Sequence, residues 1–163
     1  MKNGTTDKLF DLIYTDSMTE LYSRVAYDER LKQLRRGRTT LDNMTAAVVC
    51  LTDLKQMTNI YGQHTSDEIV KIVADTLKKT IGEKADIYRI CDNEFVCVSD
   101  SDIRSYMVQF IKLVKFENKD RYFKVNVAVG YGAYDNRKHK GIDDLIKYCE
   151  QKMFVDKRRK RQG

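Results

Sequence analysis

The sequence predicts an α+β domain: a single mixed, mostly antiparallel sheet flanked by helices. Three observations predict it. Apolar residues recur at helical spacing in separate stretches along the chain; Ala46 to Leu51 is a continuous apolar run; and two short apolar runs, Ile87 to Ile90 and Phe95 to Val98, flank a polar break at Asp92, Asn93 and Glu94. The resulting order is helix, strand, helix, hairpin, helix, strand, helix, which suits one sheet covered by helices. The 163 residues suffice for one domain with a proper core.

Leu9, Phe10, Leu12 and Ile13 form a small apolar patch at helical spacing, so residues 1–15 are read as a lead-in helix. Such a helix cannot bury itself alone; it is expected to pack on the domain or to continue from an upstream one. Tyr22 to Arg36 is charged and helix-forming, with Val25, Leu31 and Leu34 as its inner side and Gly37 at its end. Ala46 to Leu51 reads as a central strand covered on both faces, and a short helix follows. Asp67 to Thr80 carries Ile69, Val70, Val73 and Leu77 on one helical face, with Ile81 beyond it and Gly82 closing the turn.

The hairpin comes next, with Asp92, Asn93 and Glu94 at its tip. Ile103, Met107, Phe110, Ile111 and Val114 mark a further helix. Val125, Val127, Val129 and Tyr131 alternate with Asn126, Ala128 and Gly130 as a strand. Ile142, Leu145, Ile146, Cys149 and Met153 mark the last helix, which runs into a basic tail. The central strand and the hairpin are expected to be neighbours, so that the end of Ala46 to Leu51 and the tip near Asn93 share one cleft.

Composition excludes several classes. Hydrophobic residues at 42% and charged residues at 33% are those of a globular protein. The longest apolar run falls far short of the roughly 20 residues a membrane span needs, and no leader pattern precedes it, so the expected location is cytoplasmic. Cys50, Cys91, Cys97 and Cys149 lack C-x-x-C spacing and lie in apolar surroundings; they read as buried free thiols. The net charge of +6 comes mostly from five consecutive cations, Lys157 to Arg161. The helix dipole favours them there whatever their use, and no aromatic interleaving supports nucleic-acid binding.

Four pieces of the chain resemble the GGDEF domain, the catalytic module of diguanylate cyclases. Asp16 to Arg24, D-S-M-T-E-L-Y-S-R, is similar to D-x-L-T-G-L-x-N-R at Asp16, Thr19, Leu21 and Arg24. Leu54 to Asp67, L-K-Q-M-T-N-I-Y-G-Q-H-T-S-D, resembles F-K-x-I-N-D-x-Y-G-H-x-x-G-D without a gap. Arg89 to Phe95 stands where R-x-G-G-D/E-E-F belongs, and Ala128-Val129-Gly130 stands where S-I-G does. The resemblance implies a fold related to the polymerase palm and nucleotide cyclases. It also implies a reaction in which two domains each hold one GTP and join them into cyclic di-GMP, assisted by magnesium held by two carboxylates.

Those carboxylates are missing. The family's first metal aspartate falls on Cys50 and its hairpin metal acid on Asn93, while the motif glycines fall on Cys91 and Asp92. A thiol is a poor magnesium ligand and an amide carries no charge. If each lost ligand removes several kcal/mol of transition-state stabilisation, the rate falls roughly a thousandfold per loss, at about 1.4 kcal/mol per decade. Strand alternation turns Asp53 away from the cleft, and Asp92 comes one place early, so neither is expected to substitute.

The degenerate motif Cys91-Asp92-Asn93-Glu94-Phe95 keeps Glu94 as a remnant of the catalytic pair. Lys55, Arg89, Lys157 and Arg161 match phosphate-contacting positions, Asp67 matches the guanine-reading aspartate, and Thr58 replaces its companion asparagine. The expectation is a domain that binds GTP or a related nucleotide, or a protein partner or second copy, as a regulatory module. It needs no cofactor, magnesium entering only with a nucleotide. The alternatives are an active cyclase with a displaced metal site and a docking domain without ligand. Gly82 to Ala85 stands where the family's inhibitory R-x-x-D belongs, so product feedback is not expected.

Overall fold

The computed structural model describes residues 4–37 and 40–162. Among the described residues, six helices and four strands follow the order α1 (Gly4–Tyr14), α2 (Arg24–Arg35), β1 (Thr45–Thr52), α3 (Leu54–Tyr61), α4 (Gln63–Ile81), β2 (Asp86–Cys91), β3 (Glu94–Ser99), α5 (Arg104–Glu117), β4 (Asn126–Ala133) and α6 (Ile142–Arg161). The strands form one sheet in the order β2-β3-β1-β4, and every neighbouring pair is antiparallel. Tyr22, outside the named strands, forms a parallel bridge to Tyr88 of β2. The predicted α+β architecture with one central sheet is therefore the observed one.

Strand alternation sorts the core into two layers. Ala47, Val49 and Leu51 of β1, with Phe95, Cys97, Val127 and Val129, pack against α4 and α5. Ala46, Val48 and Cys50, with Tyr88, Val96, Val98 and Ala128, pack against α2 and α6. Both faces of β1 are apolar because both are covered, which is why this strand reads as an unbroken run rather than an alternating one.

Two glycines shape the functional end. Gly62, at φ +91°, separates α3 from α4 in a backbone conformation that side chains rarely adopt. Gly130 lies under α6: a Cβ there would stand 1.9 Å from the Cys149 carbonyl oxygen and 2.4 Å from the Met153 nitrogen. The close approach of α6 to β4 therefore requires the missing side chain, and it sets where the basic end of α6 lies.

Several expectations change in detail. Val25 is 50% exposed; Tyr27, Leu31 and Leu34 are the buried residues of α2. The helix expected from Asp67 begins at Gln63. Glu94 is the first residue of β3 rather than part of the tip, which is the two-residue turn Asp92-Asn93. Cys91 is exposed, unlike the other three cysteines. Helix α1 has no buried residue, and Leu9, Phe10, Leu12 and Ile13 are all more than half exposed. It is tied to the domain by Ser23, whose hydroxyl donates to the Ile13 carbonyl (2.7 Å) and whose amide donates to the Tyr14 carbonyl (2.9 Å). Among the described residues no helix is long and apolar enough to cross a membrane.

Candidate functional site

The expected proximity of the strand end and the hairpin tip is found. The Leu51 amide donates to the Asn93 carbonyl at 2.7 Å. In register, Cys50 of β1 and Cys91 of β2 stand on either side of Glu94 of β3. The Asn93 side chain spans the space between the two thiols: Nδ2 donates to Cys50 Sγ at 3.8 Å and to the Leu51 carbonyl at 3.5 Å, and Cys91 Sγ donates to Oδ1 at 3.3 Å. Cys50 and Asn93, expected from the resemblance to stand at the metal positions, thus touch one another through a neutral network.

Charges of both signs act on this network. Cys50 is 3% exposed; burial pushes its thiol pKa up, with Glu94 and Cys91 adding to the rise and Lys157 and Arg161 opposing it. Burial also raises the Glu94 carboxyl above its ordinary range, helped by Glu150 and opposed by Arg24 and Lys157. A hard divalent cation needs several oxygen ligands, preferably anionic. Here it would meet a buried thiol, an amide whose groups are already paired and a single carboxyl whose ionised form burial disfavours. No group of three or more His, Cys, Asp or Glu side chains among the described residues is placed to hold a metal. The residues present do not fit magnesium.

Beside the hairpin, a cleft of about 580 Å³ is lined by Lys55, Thr58, Gln63, Asp67, Arg89 and Asn93, among others. Helices α3 and α4, hinged at Gly62, supply most of its walls. Thr58 Oγ1 donates to the Leu54 carbonyl at 3.0 Å and shares a hydrogen bond with Ser66 Oγ. Asp67 Oδ1 accepts from Gln63 Nε2 at 2.8 Å. Arg89 is 11% exposed as a side chain and is held by Asp16, with Nη1 at 3.3 Å from Oδ2, while Nη2 donates to the Asp92 carbonyl at 3.1 Å. Burial would raise the Asp16 pKa, but hydrogen bonds from Thr19 and the Arg89 charge outweigh it and hold the carboxyl below its usual value. Arg89 Nε is buried without a partner among the described residues.

A second cleft of about 430 Å³ lies on the other side of the β1–α3 turn. Thr52 and Asp53 line it, together with Lys115 and Asn118 of α5 and Lys157, Lys160 and Arg161 of α6. Asp53 has left the strand: it adopts the left-handed conformation (φ 62°) at the start of α3. The strand-alternation argument does not apply to it, and it faces the cations of α6 instead of the hairpin.

The residues singled out from sequence therefore form two groups. Lys55, Thr58, Asp67 and Arg89 share the first cleft, Lys157 and Arg161 the second, and the turn between them is lined on one side by Asp53 and on the other by Leu54 and Lys55. Sequence reasoning missed Asp16 as the partner of Arg89, Gln63 as the partner of Asp67, and Lys115, Asn118 and Lys160. The Gln63–Asp67 pair was legible as an i,i+4 spacing on a helix; nothing in the order of residues points from α5 to the end of β1.

Comparison with known proteins agrees with the fold. The family model described as "Diguanylate cyclase, GGDEF domain" matches residues 13–163. The chain is 26% identical over 154 residues to the uncharacterized protein YtrP of Bacillus subtilis, covering 93% of this chain and 26% of that protein. It is 22% identical over 144 residues to diguanylate cyclase DgcS of Shewanella oneidensis, covering 87% of this chain and 49% of that one. The chain thus spans half or less of the length of these curated relatives. Its fold is similar to the crystal structure of the FimX GGDEF domain from Pseudomonas aeruginosa, with a TM-score of 0.76 at 18% identity, covering 90% of this chain and 94% of that chain. With the hairpin motif, the Leu54 to Asp67 segment and the family match all falling on the same fold, this chain belongs to the GGDEF diguanylate cyclase family.

Proposed function

We propose that this domain binds GTP or a related purine nucleotide without joining two of them into cyclic di-GMP, and that it acts as a regulatory module. The observation that carries the reading is the contact of Asn93 with Cys50. Where the reaction needs two anionic ligands converging on a metal, an amide spends its donors on a thiol and a main-chain carbonyl. Glu94, the surviving acid, is a single carboxyl whose ionised form burial disfavours, so on its own it does not supply the set of anionic ligands a hard cation needs.

The binding half of the site keeps its chemistry. Lys55 lines the first cleft and Lys157 and Arg161 the second, and cations of these kinds supply the charge and donors that phosphates take, which supports the reading. Asp67 retains an oxygen free of Gln63 and can accept from a base amino or imino group. Arg89 holds the cleft wall to the hairpin through Asp16 and Asp92, which makes it a positioning residue as well as a phosphate candidate. Thr58, with its hydroxyl committed to Leu54 and Ser66, contributes shape rather than a two-sided contact.

Calorimetry with GTP tests the binding. Heat of binding that weakens about tenfold or more in Lys55→Ala supports the reading. Absence of heat at millimolar nucleotide points instead to a docking module, and formation of cyclic di-GMP points to an active cyclase.

A further inference from the structure

The second cleft deepens this reading, and the inference rests on it. We propose that the phosphates of the bound nucleotide are held without a divalent cation, their charge met directly by Lys157 and Arg161 of α6 together with Lys115 of α5. The cleft is lined by four cations and one acid, Asp53, over a base of Ile111, Val114 and Val127. An apolar base lowers the local dielectric and strengthens whatever charge interaction the cleft makes.

The four cations are not equivalent. Lys160 is already committed: its Nζ donates to the Val127 carbonyl and to Asp156 Oδ2 at 2.9 Å, and Asp156 also accepts from the Val129 amide at 2.9 Å. Asp156 is 11% exposed as a side chain, so this set ties α6 to β4. Lys115, Lys157 and Arg161 have no carboxylate within ion-pair distance among the described residues. Three like charges converging on one cleft repel each other, and an oligophosphate relieves that repulsion.

A metal-dependent phosphate site balances its charge with acids that hold the cation. This one sets a single acid, Asp53, against four cations, which repel magnesium and favour the free nucleotide over its less negative magnesium complex. Lys115 distinguishes the arrangement from one built only on the family's motif positions, because it comes from α5. It is exposed on that helix, so its replacement leaves the core intact.

The test is calorimetric titration of the whole chain with GTP and with GMP, in EDTA and in millimolar magnesium, for the protein and for Lys115→Ala. Circular dichroism confirms that the variant is folded. The inference expects GTP to bind in EDTA as tightly as in magnesium or up to ~10-fold more tightly. It further expects Lys115→Ala to weaken GTP about fivefold while changing GMP less than twofold. Binding that is tenfold or more tighter in magnesium, or a Lys115→Ala protein that binds GTP like the parent, overturns the inference and leaves the nucleotide reading standing. Absence of binding to either nucleotide in both conditions overturns the nucleotide reading and the inference together.

Discussion

Replacing both altered metal positions at once, Cys50→Asp with Asn93→Asp, gives a sharp test of the site geometry. Cys50 is 3% exposed and packs with Val48, Val96 and Ala128. A carboxylate there, beside a second one at the hairpin turn, exchanges a neutral hydrogen-bonded network for two like charges in a poorly hydrated place. An uncompensated buried charge costs about 3–5 kcal/mol, softened by Lys157 and Arg161, which both act on Cys50. In a domain of this size 1 kcal/mol moves the melting temperature by roughly 2–4 °C, so in chelator the double variant should melt about 6–15 °C below the parent. The same two carboxylates meet the requirements of a hard cation. Magnesium at a hundred times its dissociation constant would return ~2.7 kcal/mol, or about 5–10 °C. Thermal unfolding followed by circular dichroism, in EDTA and in magnesium and without nucleotide, reads both effects. A parent protein that gains several degrees from magnesium, or a double variant that ignores it, refutes the argument that these two residues occupy a lapsed metal site.

Three further outcomes follow from the packing and the charges. Gly130→Ala should cost about 3 kcal/mol, visible as a melting temperature lowered by roughly 6–12 °C, and should weaken GTP binding as well, because the new methyl group meets the backbone of α6; a neutral result would mean that α6 is not fixed by this contact. The Asp16 carboxyl has its folded pKa below the unfolded one. Its contribution to stability is therefore fully present above the ordinary aspartate value of ~3.9 and is lost as the pH falls through the lower folded value. The stability difference between the protein and Asp16→Asn, measured by urea unfolding, should be constant at neutral pH and shrink only below about pH 4; a difference that grows with acidification contradicts the assignment. A thiol reagent should label Cys91 rapidly in the native protein, and Cys50, Cys97 and Cys149 only on unfolding, since Cys91 alone among the four is exposed; rapid labelling of two or more would place Cys50 nearer to solvent than the structure does.

The sequence carried much of this fold because most of its elements bury one face. The stripe from Ile69 to Ile81 and the alternation of Val125, Val127 and Val129 are direct images of the core layer that α4 and α5 cover. Cysteine was harder: Cys50 and Cys91 each follow an apolar strand residue, yet one lies inside the sheet and the other at an edge-strand end beside the turn, a difference set largely by strand pairing. Val25 misled for a related reason, since a lone apolar residue in the first turn of α2 needs no burial. In the site, Asp67, Thr58 and Asn93 were legible because they sit inside motif segments. The Asp16 to Arg89 pair, 73 positions apart, and the entry of Lys115 into the second cleft depend on how helices fold back over the end of β1. Asp53 shows the limit of a periodic rule: alternation holds while the strand lasts, and the left-handed residue that ends it points where the turn sends it.

The central claim is that the fold persists while its metal-assisted reaction does not. Incubating the protein with GTP and magnesium and separating the products by chromatography tests it most directly. The account predicts GTP recovered intact, with no cyclic di-GMP above a protein-free control. Accumulation of cyclic di-GMP in proportion to protein would contradict it.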